Sequence, residues 1–470
     1  MIPGGHIHLI GICGVAMAGL AAMLREHGYN VTGSDTAVYP PMSTFLAEQQ
    51  IAVCSPFGPE NLKPRPDLVV VGNAISRGNT ELEAVLDERI AYTSMADVLR
   101  DFFIRGHQSL VVTGTHGKST TTSLLAWALT HAGLDPSFMV GAIPKNFNTG
   151  YRLGRGRHFL LEGDEYDTAY FDKTPKFLHY LPDVVILNNV EYDHADIYSS
   201  LEEIRLQFRR LVNLIPRGGF LALGADSAEA VACAAKAFCP VETFGLKTTA
   251  DWTVRNLEEE PEQTRFDAIY RGQPFARIES VLHGEHNARN ILAALAVGRH
   301  VGLNGRQLAE AMASFQGVRR RLEQVAEVGG IRVLDDFAHH PTAIRETIET
   351  LRRIYKGARL TVLFEPRSAT TKRKAFERDF VEVFALADRV LLARIFQPEK
   401  VPEADRIDLD RVVGELVARG RQSALFDDLG AMADEAAGRA QPPEVIITMS
   451  NGGFGGIQQK IVERLKSRWV

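Results

Sequence analysis

Short runs of apolar residues alternate with longer stretches of helical period along most of this chain. HIHLIGI at 6–12 has the continuous hydrophobicity of a buried strand, Met17–His27 follows as a helix, and NVTGSD at 30–35 and DLVVVG at 67–72 are further strands. Strands that alternate with helices form a parallel sheet covered on both faces. The pattern restarts at SLVVTG, 109–114, where a strand leads through a tight loop into a helix of about four turns ending near Gly133. HFLLEGD at 158–164 and DVVILNNV at 183–190 extend that second unit. From Gly218 to Leu282 the pattern loosens and becomes more β-like, before a helix over HNARNILAALAVGRHVG. A third block opens near Gly317, with strands at IRVLDDF, RLTVLFEP, ADRVLLARIF and EVIITMS alternating with helices. Three α/β units are therefore expected, over residues 1–107, 108–316 and 317–470.

Composition narrows the class. With 45% hydrophobic and 24% charged residues the chain has the balance of a globular protein, and a net charge of -5 offers no basic footprint for nucleic acid. Its cysteines, Cys13, Cys54, Cys233 and Cys239, show no metal-ligand pairing and suit a reducing compartment. The apolar run Leu9–Leu24 contains Ala16-Met17-Ala18, which mimics a signal-peptidase site. No Lys or Arg precedes it, and it is shorter than the roughly 20 residues of a membrane span. Gly11, Gly14 and Gly19 within it fit a strand–loop–helix, with a GxxGxxxxG spacing that is not the GxGxxG of dinucleotide sites. The expectation is a cytoplasmic enzyme without membrane or nucleic-acid contacts and with no evident need of a protein partner.

Candidate chemistry is concentrated after the strands of the second unit. Gly114-Thr115-His116-Gly117-Lys118-Ser119 lies between strand and helix, where glycines let backbone N–H groups curl around phosphate oxygens. Lys118 supplies a cation for the β/γ-phosphates, and the Ser119 hydroxyl suits Mg2+. The motif is shortened, with Val112 where the eight-residue form has its first glycine. Two acidic clusters, Glu162 to Asp167 and Glu191 to Asp196, also follow strands, at the sheet edge where ligands bind in open α/β folds. Carboxylates and the His194 imidazole beside ATP phosphates would hold hard cations. His339 and His340, before Pro341, are expected to shape a helix entry and an active-site wall. The Arg319-Arg320-Arg321 run would be a solvated stretch anywhere but at the opening of the third unit, where it can face ATP.

GTHGKSTTT, EGDEYD, EYDHAD, GEHNARN, GVRRRLE and DDFAHHPT occur in this order across essentially the whole chain. The ordered set resembles the Mur ligase superfamily. That resemblance implies a Rossmann-like N-terminal domain, a P-loop-type central ATPase domain and a Rossmann-like C-terminal domain. It also implies an ATP- and Mg2+-dependent amide ligase that proceeds through an acyl phosphate. GICGVAMAGL, TGSD and DDFAHHPT resemble the UDP-N-acetylmuramate-using branch. VYPPMSTFL, GNAISRGN, FEPRS and MSNGGFGG resemble members that attach L-Ala-γ-D-Glu-meso-diaminopimelate during peptidoglycan recycling, ahead of the alternative acceptor, L-alanine.

The residue roles below are implied by that resemblance. Gly114 to Thr120 would bind ATP, with Lys118 and Ser119 at the phosphates and first Mg2+, and Glu162 and His194 would bind a second. Asn290 would contact the adenine side with His286 nearby, and Arg321 and Asp336 would reach the phosphates and ribose. Gly11, Cys13, Gly14, Ser34 and Asp35 would bind UDP, and Arg367, Ser450 and Asn451 the acceptor. Several members of the superfamily carry a carbamoylated lysine fifteen residues after the metal histidine, where this chain has Arg209.

Overall fold

The computed structural model describes residues 4–39, 42–195 and 197–469. Five strands, β1 (His6–Ile10), β2 (Asn30–Ser34), β3 (Ala52–Cys54), β4 (Leu68–Val71) and β5 (Tyr92–Ser94), form a parallel sheet in the order β3-β2-β1-β4-β5. Its central strand, HIHLI, is buried from Ile7 onward, with His8 enclosed among Ile7, Leu9 and Ile10, as a sheet covered on both faces requires. The glycine-bearing segment after it turns into the helix Val15–Glu26, so the apolar run is strand, loop and helix. No helix among the described residues is long and apolar enough to cross a membrane.

The middle sheet is built on β6 (Gln108–Thr113), β7 (Ser137–Met139), β8 (Tyr151–Arg152), β9 (His158–Gly163), β12 (Val184–Leu187), β13 (Phe220–Gly224) and β14 (Val241–Phe244), and β10 (Asp167–Ala169) and β11 (Asp172–Pro175) form a separate hairpin between β9 and β12 in the chain. The looser segment supplies β15 (Trp252–Glu259), β16 (Thr264–Tyr270) and β17 (Gln273–Ser280), an antiparallel extension of the same sheet. The full order is β17-β16-β15-β14-β13-β12-β6-β9-β7-β8, and β6 lies between β12 and β9. The loops after β6, β9 and β12 therefore meet at one edge.

The third sheet runs β18-β19-β23-β20-β21-β22, from β18 (Glu323–Val328), β19 (Ile331–Asp336), β20 (Arg359–Phe364), β21 (Arg389–Ala393), β22 (Gln422–Phe426) and β23 (Glu444–Met449). Only β18 is antiparallel. The first and second units share one apolar core, in which Ile7, Leu24 and Phe103 belong to the same cluster as Val111, Met139 and Phe159. Gly19 brings the first helix so close to the middle sheet that a Cβ there would stand 3.4 Å from the Met139 methyl. The third unit keeps its own two cores and meets the second through polar groups.

Candidate active site

The phosphate loop is shaped by two glycines and two asparagines. Gly114 has a φ of +120°, and a Cβ there would lie 2.9 Å from the backbone of Asn189; Gly117, at φ +84°, caps the helix Lys118–His131 and leaves only 2.4 Å between such an atom and Asn290 Oδ1. Side chains larger than hydrogen are thus excluded by conformation and by space. Asn189 Oδ1 accepts the His116 N–H at 2.8 Å, and Asn188 Nδ2 donates to the His116 carbonyl at 3.2 Å. Both asparagines follow β12. Only the close approach of β6 and β12 gives them this role.

Lys118 is buried and folds back over the loop. Its ammonium donates to the Gly114 carbonyl and to Glu165 Oε2, both at 2.8 Å. Burial disfavours its charge, but Glu165 and Asp164 outweigh that and raise its pKa above the ordinary value. Ser119 Oγ donates to Glu162 Oε1 at 2.8 Å, and the Gly141 N–H donates to Glu162 Oε2 at 2.8 Å. Burial, and next the charge of Asp164, push the Glu162 pKa up. His194 sits at φ +54° with its ring against Tyr166, and its Nε2 lies 3.9 Å from Glu165 Oε2. Glu165 thus stands between the lysine and the histidine, a position the sequence pattern did not single out. Ser119, Glu162, Asp164 and His194 line one cleft of about 300 Å3 with the phosphate loop. That donor set is rich in oxygen, and the Glu162 carboxylate takes its hydrogen bonds from Ser119 and Gly141 while the Lys118 ammonium engages Glu165. Such a set suits a hard divalent cation. Asp196 lies outside the described residues.

The third unit closes the same cleft. Arg321 Nη2 donates to Ser119 Oγ at 3.1 Å, and its guanidinium lies 4.7 Å from the Phe337 ring centroid. Asp336 accepts the N–H groups of Leu322 (2.6 Å) and Ala338 (2.8 Å). Arg320 and Arg321 are therefore drawn into contacts, while Arg319 stays exposed. Arg320 donates to Asp335 and to the Ser450 and Gly452 carbonyls, and Arg319 lies against Asn148. His340 caps the helix Pro341–Ile354, its Nδ1 accepting the Thr342 N–H, and stands beside His116 and Glu191. His339 lines the cleft with it.

Two hydrogen bonds across the seam escaped the sequence reading. Thr342 Oγ1 donates to Glu191 Oε2 and Thr370 Oγ1 to Asp193 Oδ1, each at 2.7 Å. The Glu191 carboxyl would be raised by burial, but His116, then Thr342 and His340, hold it down at about 2. His286, Asn290 and Asn451 face the cleft as well, with Asn290 against the loop glycine.

The residues expected to hold UDP form a separate clasp on the first sheet. Gly11, at φ +83°, donates its N–H to the Ser34 carbonyl, and Asp35 accepts the Cys13 and Ala37 N–H groups, both at 2.9 Å. Gly14 ends the loop as the N-cap of the first helix. Burial and the Asp35 charge push the Cys13 thiol up to about 11. Ser34 Oγ donates to the fully buried Glu81 at 2.7 Å, which anchors the turn. Arg367 and Ser450 meet at Glu365, after β20 and β23. Arg209 lies on the helix Leu201–Leu214, half-exposed and paired with Glu202.

Family models match the chain in three segments: the Mur ligase family catalytic domain over residues 6–107, the Mur ligase middle domain over 112–298, and the Mur ligase glutamate ligase domain over 320–452. The chain is 40% identical over 463 residues to the UDP-N-acetylmuramate–L-alanyl-γ-D-glutamyl-meso-2,6-diaminoheptandioate ligase of Haemophilus influenzae, covering 98% of this chain and 99% of that one. It is 33% identical over 463 residues to the UDP-N-acetylmuramate–L-alanine ligase of Pelotomaculum thermopropionicum, with 98% of each covered. The crystal structure of a murein peptide ligase from Psychrobacter arcticus superposes with a TM-score of 0.74 at 33% identity, over 98% of this chain and 99% of that one. The chain belongs to the Mur ligase family.

Proposed function

We propose that this protein joins the carboxylate of UDP-N-acetylmuramate to the amino group of L-Ala-γ-D-Glu-meso-diaminopimelate at the expense of ATP, in the recycling of peptidoglycan. The observation that carries this reading is the greater identity, over the same length, to the peptide-adding relative than to the alanine-adding one. In the reaction the lactyl carboxylate attacks the γ-phosphorus, and ADP leaves with the bridging oxygen. The neutral amine then attacks the acyl phosphate, and the tetrahedral intermediate collapses with loss of phosphate. No protein nucleophile is needed, so catalysis is positioning and charge stabilisation.

Each residue has a part in that scheme. Lys118 and the N–H groups of the phosphate loop hold the β- and γ-phosphates, and Arg321 adds positive charge from the closing domain. Ser119, Glu162 and His194 would hold Mg2+, which when bound offsets the repulsion between carboxylate and phosphoryl oxygens. Asn290, His286 and Asp336 would serve the nucleoside of ATP, and the Gly11–Gly14 and Ser34–Asp35 clasp would take UDP. A cytoplasmic location follows from the substrates.

The test is phosphate release with ATP, Mg2+ and UDP-N-acetylmuramate, adding either the tripeptide or L-alanine. Turnover with the tripeptide is expected. Turnover with alanine alone would move the protein to the biosynthetic branch.

A further inference from the structure

Two imidazoles and a carboxylate converge where the second and third units meet, apart from Ser119, Glu162 and His194, the residues proposed for Mg2+. His116 comes from the phosphate loop, Glu191 from the loop after β12, and His340 from the N-cap of the helix Pro341–Ile354. One donor atom from each lies within 4.8 Å of the other two. His116 Nε2 is 3.4 Å and His340 Nδ1 is 3.7 Å from Glu191 Oε2. Donor atoms about 2.0–2.1 Å from a tetrahedral zinc stand about 3.4 Å apart, so this spacing suits such an ion with little movement.

The rings are not satisfied by the protein alone. The Nε2 atoms of His116 and His340 are each buried without a hydrogen-bond partner among the described residues, although polar atoms shut away from water are normally paired. His340 as a whole is 6% exposed. Glu191 and Asp193 place negative charge beside both rings, which favours a cation between them. The Thr342 hydroxyl, donating to Glu191 Oε2 at 2.7 Å, orients the carboxylate as the outer partner of a metal ligand does. His340 Nδ1 now accepts the Thr342 N–H at a long 3.3 Å, so an ion on that nitrogen would replace only a weak bond.

We propose that His116, Glu191 and His340 form a binding site for a zinc-class transition ion, with its fourth position left to solvent. Two imidazoles and one carboxylate select such an ion over Mg2+, which prefers oxygen and keeps its waters. The site is independent of the acceptor argued above. Because its ligands come from two units, the bound ion ties the phosphate loop to the third unit.

Co2+ is the probe, because a tetrahedral site gives it an intense visible absorption that an octahedral oxygen site does not. The full chain titrated with Co2+ in an excess of Mg2+ should develop such a band for one ion per chain, and Zn2+ should abolish it. His340→Asn, which keeps a good N-cap residue, should weaken Co2+ binding roughly 100-fold or more. Glu191→Gln, which keeps an acceptor for the Thr342 hydroxyl, should do the same. His194→Ala, which alters the set proposed for Mg2+, should leave the band in place. Zn2+ should also raise the melting temperature of the wild type by a few degrees and leave that of His340→Asn unchanged. A wild type that takes up no Co2+ under these conditions would overturn the site. So would a band that survives in both His340→Asn and Glu191→Gln, or one that disappears in His194→Ala.

Discussion

The central domain meets its two neighbours through seams of opposite chemistry. Toward the N-terminal domain it presents apolar residues, and Met139, Phe159 and Phe208 share a core with Ile7, Leu24 and Phe103. Toward the C-terminal domain it presents charge and hydroxyls: Arg353 pairs with Glu259 (2.7 Å), Lys145 with Glu323 (3.0 Å), Arg289 with Glu346, and Arg321 with Ser119. An apolar seam stays closed because opening it exposes hydrocarbon to water. A polar seam exchanges its partners for water at little net cost, as transient domain contacts do. The first joint therefore fixes the Gly11–Asp35 clasp relative to the phosphate loop, and the second is the seam at which the proposed opening for ATP and closing for chemistry would take place.

The largest effect should come from the group over which the polar seam closes. Lys118→Ala should slow acyl-phosphate formation about 10^3-fold or more, while UDP-sugar binding, which we propose for the other side of the apolar seam, should persist. Rapid-quench measurement of ADP formation and calorimetric titration with the UDP-sugar check the two halves. Near-normal ATP turnover would remove the phosphate loop from the mechanism. Next in size is the apolar seam itself. Phe159 is fully buried on β9, and Phe159→Ala should cost about 3–5 kcal/mol in denaturant unfolding. A loss below about 1 kcal/mol would show that this seam is no more fixed than the polar one.

The polar seam also carries a pH dependence. His340 is 6% exposed, and burial, then the neighbouring His116, lower its pKa from 6.5 to about 4, against the opposing charges of Asp193 and Glu191. The unfolded chain takes up this proton near pH 6.5 and the folded protein only near pH 4, so the unfolded state binds more protons in between. Stability should accordingly fall as pH drops from 6.5 toward 4, by about 2 kcal/mol at pH 5 for this group. His340→Asn keeps a good N-cap residue and removes the titration. Its melting temperature should lose less between pH 6.5 and 5 than that of wild type; an unchanged slope would assign the effect to other groups.

How much of this was legible in the sequence depends on the distance each signal spans. The phosphate loop was readable because strand, glycines, lysine and helix lie within about one turn of chain, and the backbone imposes their order. The strands carrying the acidic clusters were readable from their apolar runs, which are buried in β9 and β12. The partner of Lys118 was not: Glu162, Asp164 and Glu165 are equivalent in the string, and only the path after β9 brings Glu165 to the ammonium. Asp193 and Thr370, separated by 177 residues, leave no local periodicity at all. The short β7, β8 and the β10–β11 hairpin gave no signal either, because strands of two to four residues are too brief to establish a period.

The smallest predicted effects decide most directly whether the polar seam is a reversible contact. Thr370→Val removes the hydroxyl that reaches Asp193 while keeping its volume. Asp193 is 6% exposed, so losing that donor should lower kcat/KM roughly 5- to 30-fold, the equivalent of about 1–2 kcal/mol. Arg353→Ala acts farther from the phosphates, on a pair whose arginine side chain is 40% exposed. Its stability change should stay below about 1 kcal/mol, with a rise of only a few-fold in the KM for ATP. The double variant Arg353→Ala with Glu259→Gln should then lose about the sum of the two single losses, because a pair held by a 40% exposed arginine side chain has little coupling to lose. A coupling comparable to the loss from Phe159→Ala would mean that the pair holds the domains together permanently. Domain closure would then have to be sought elsewhere than at this seam.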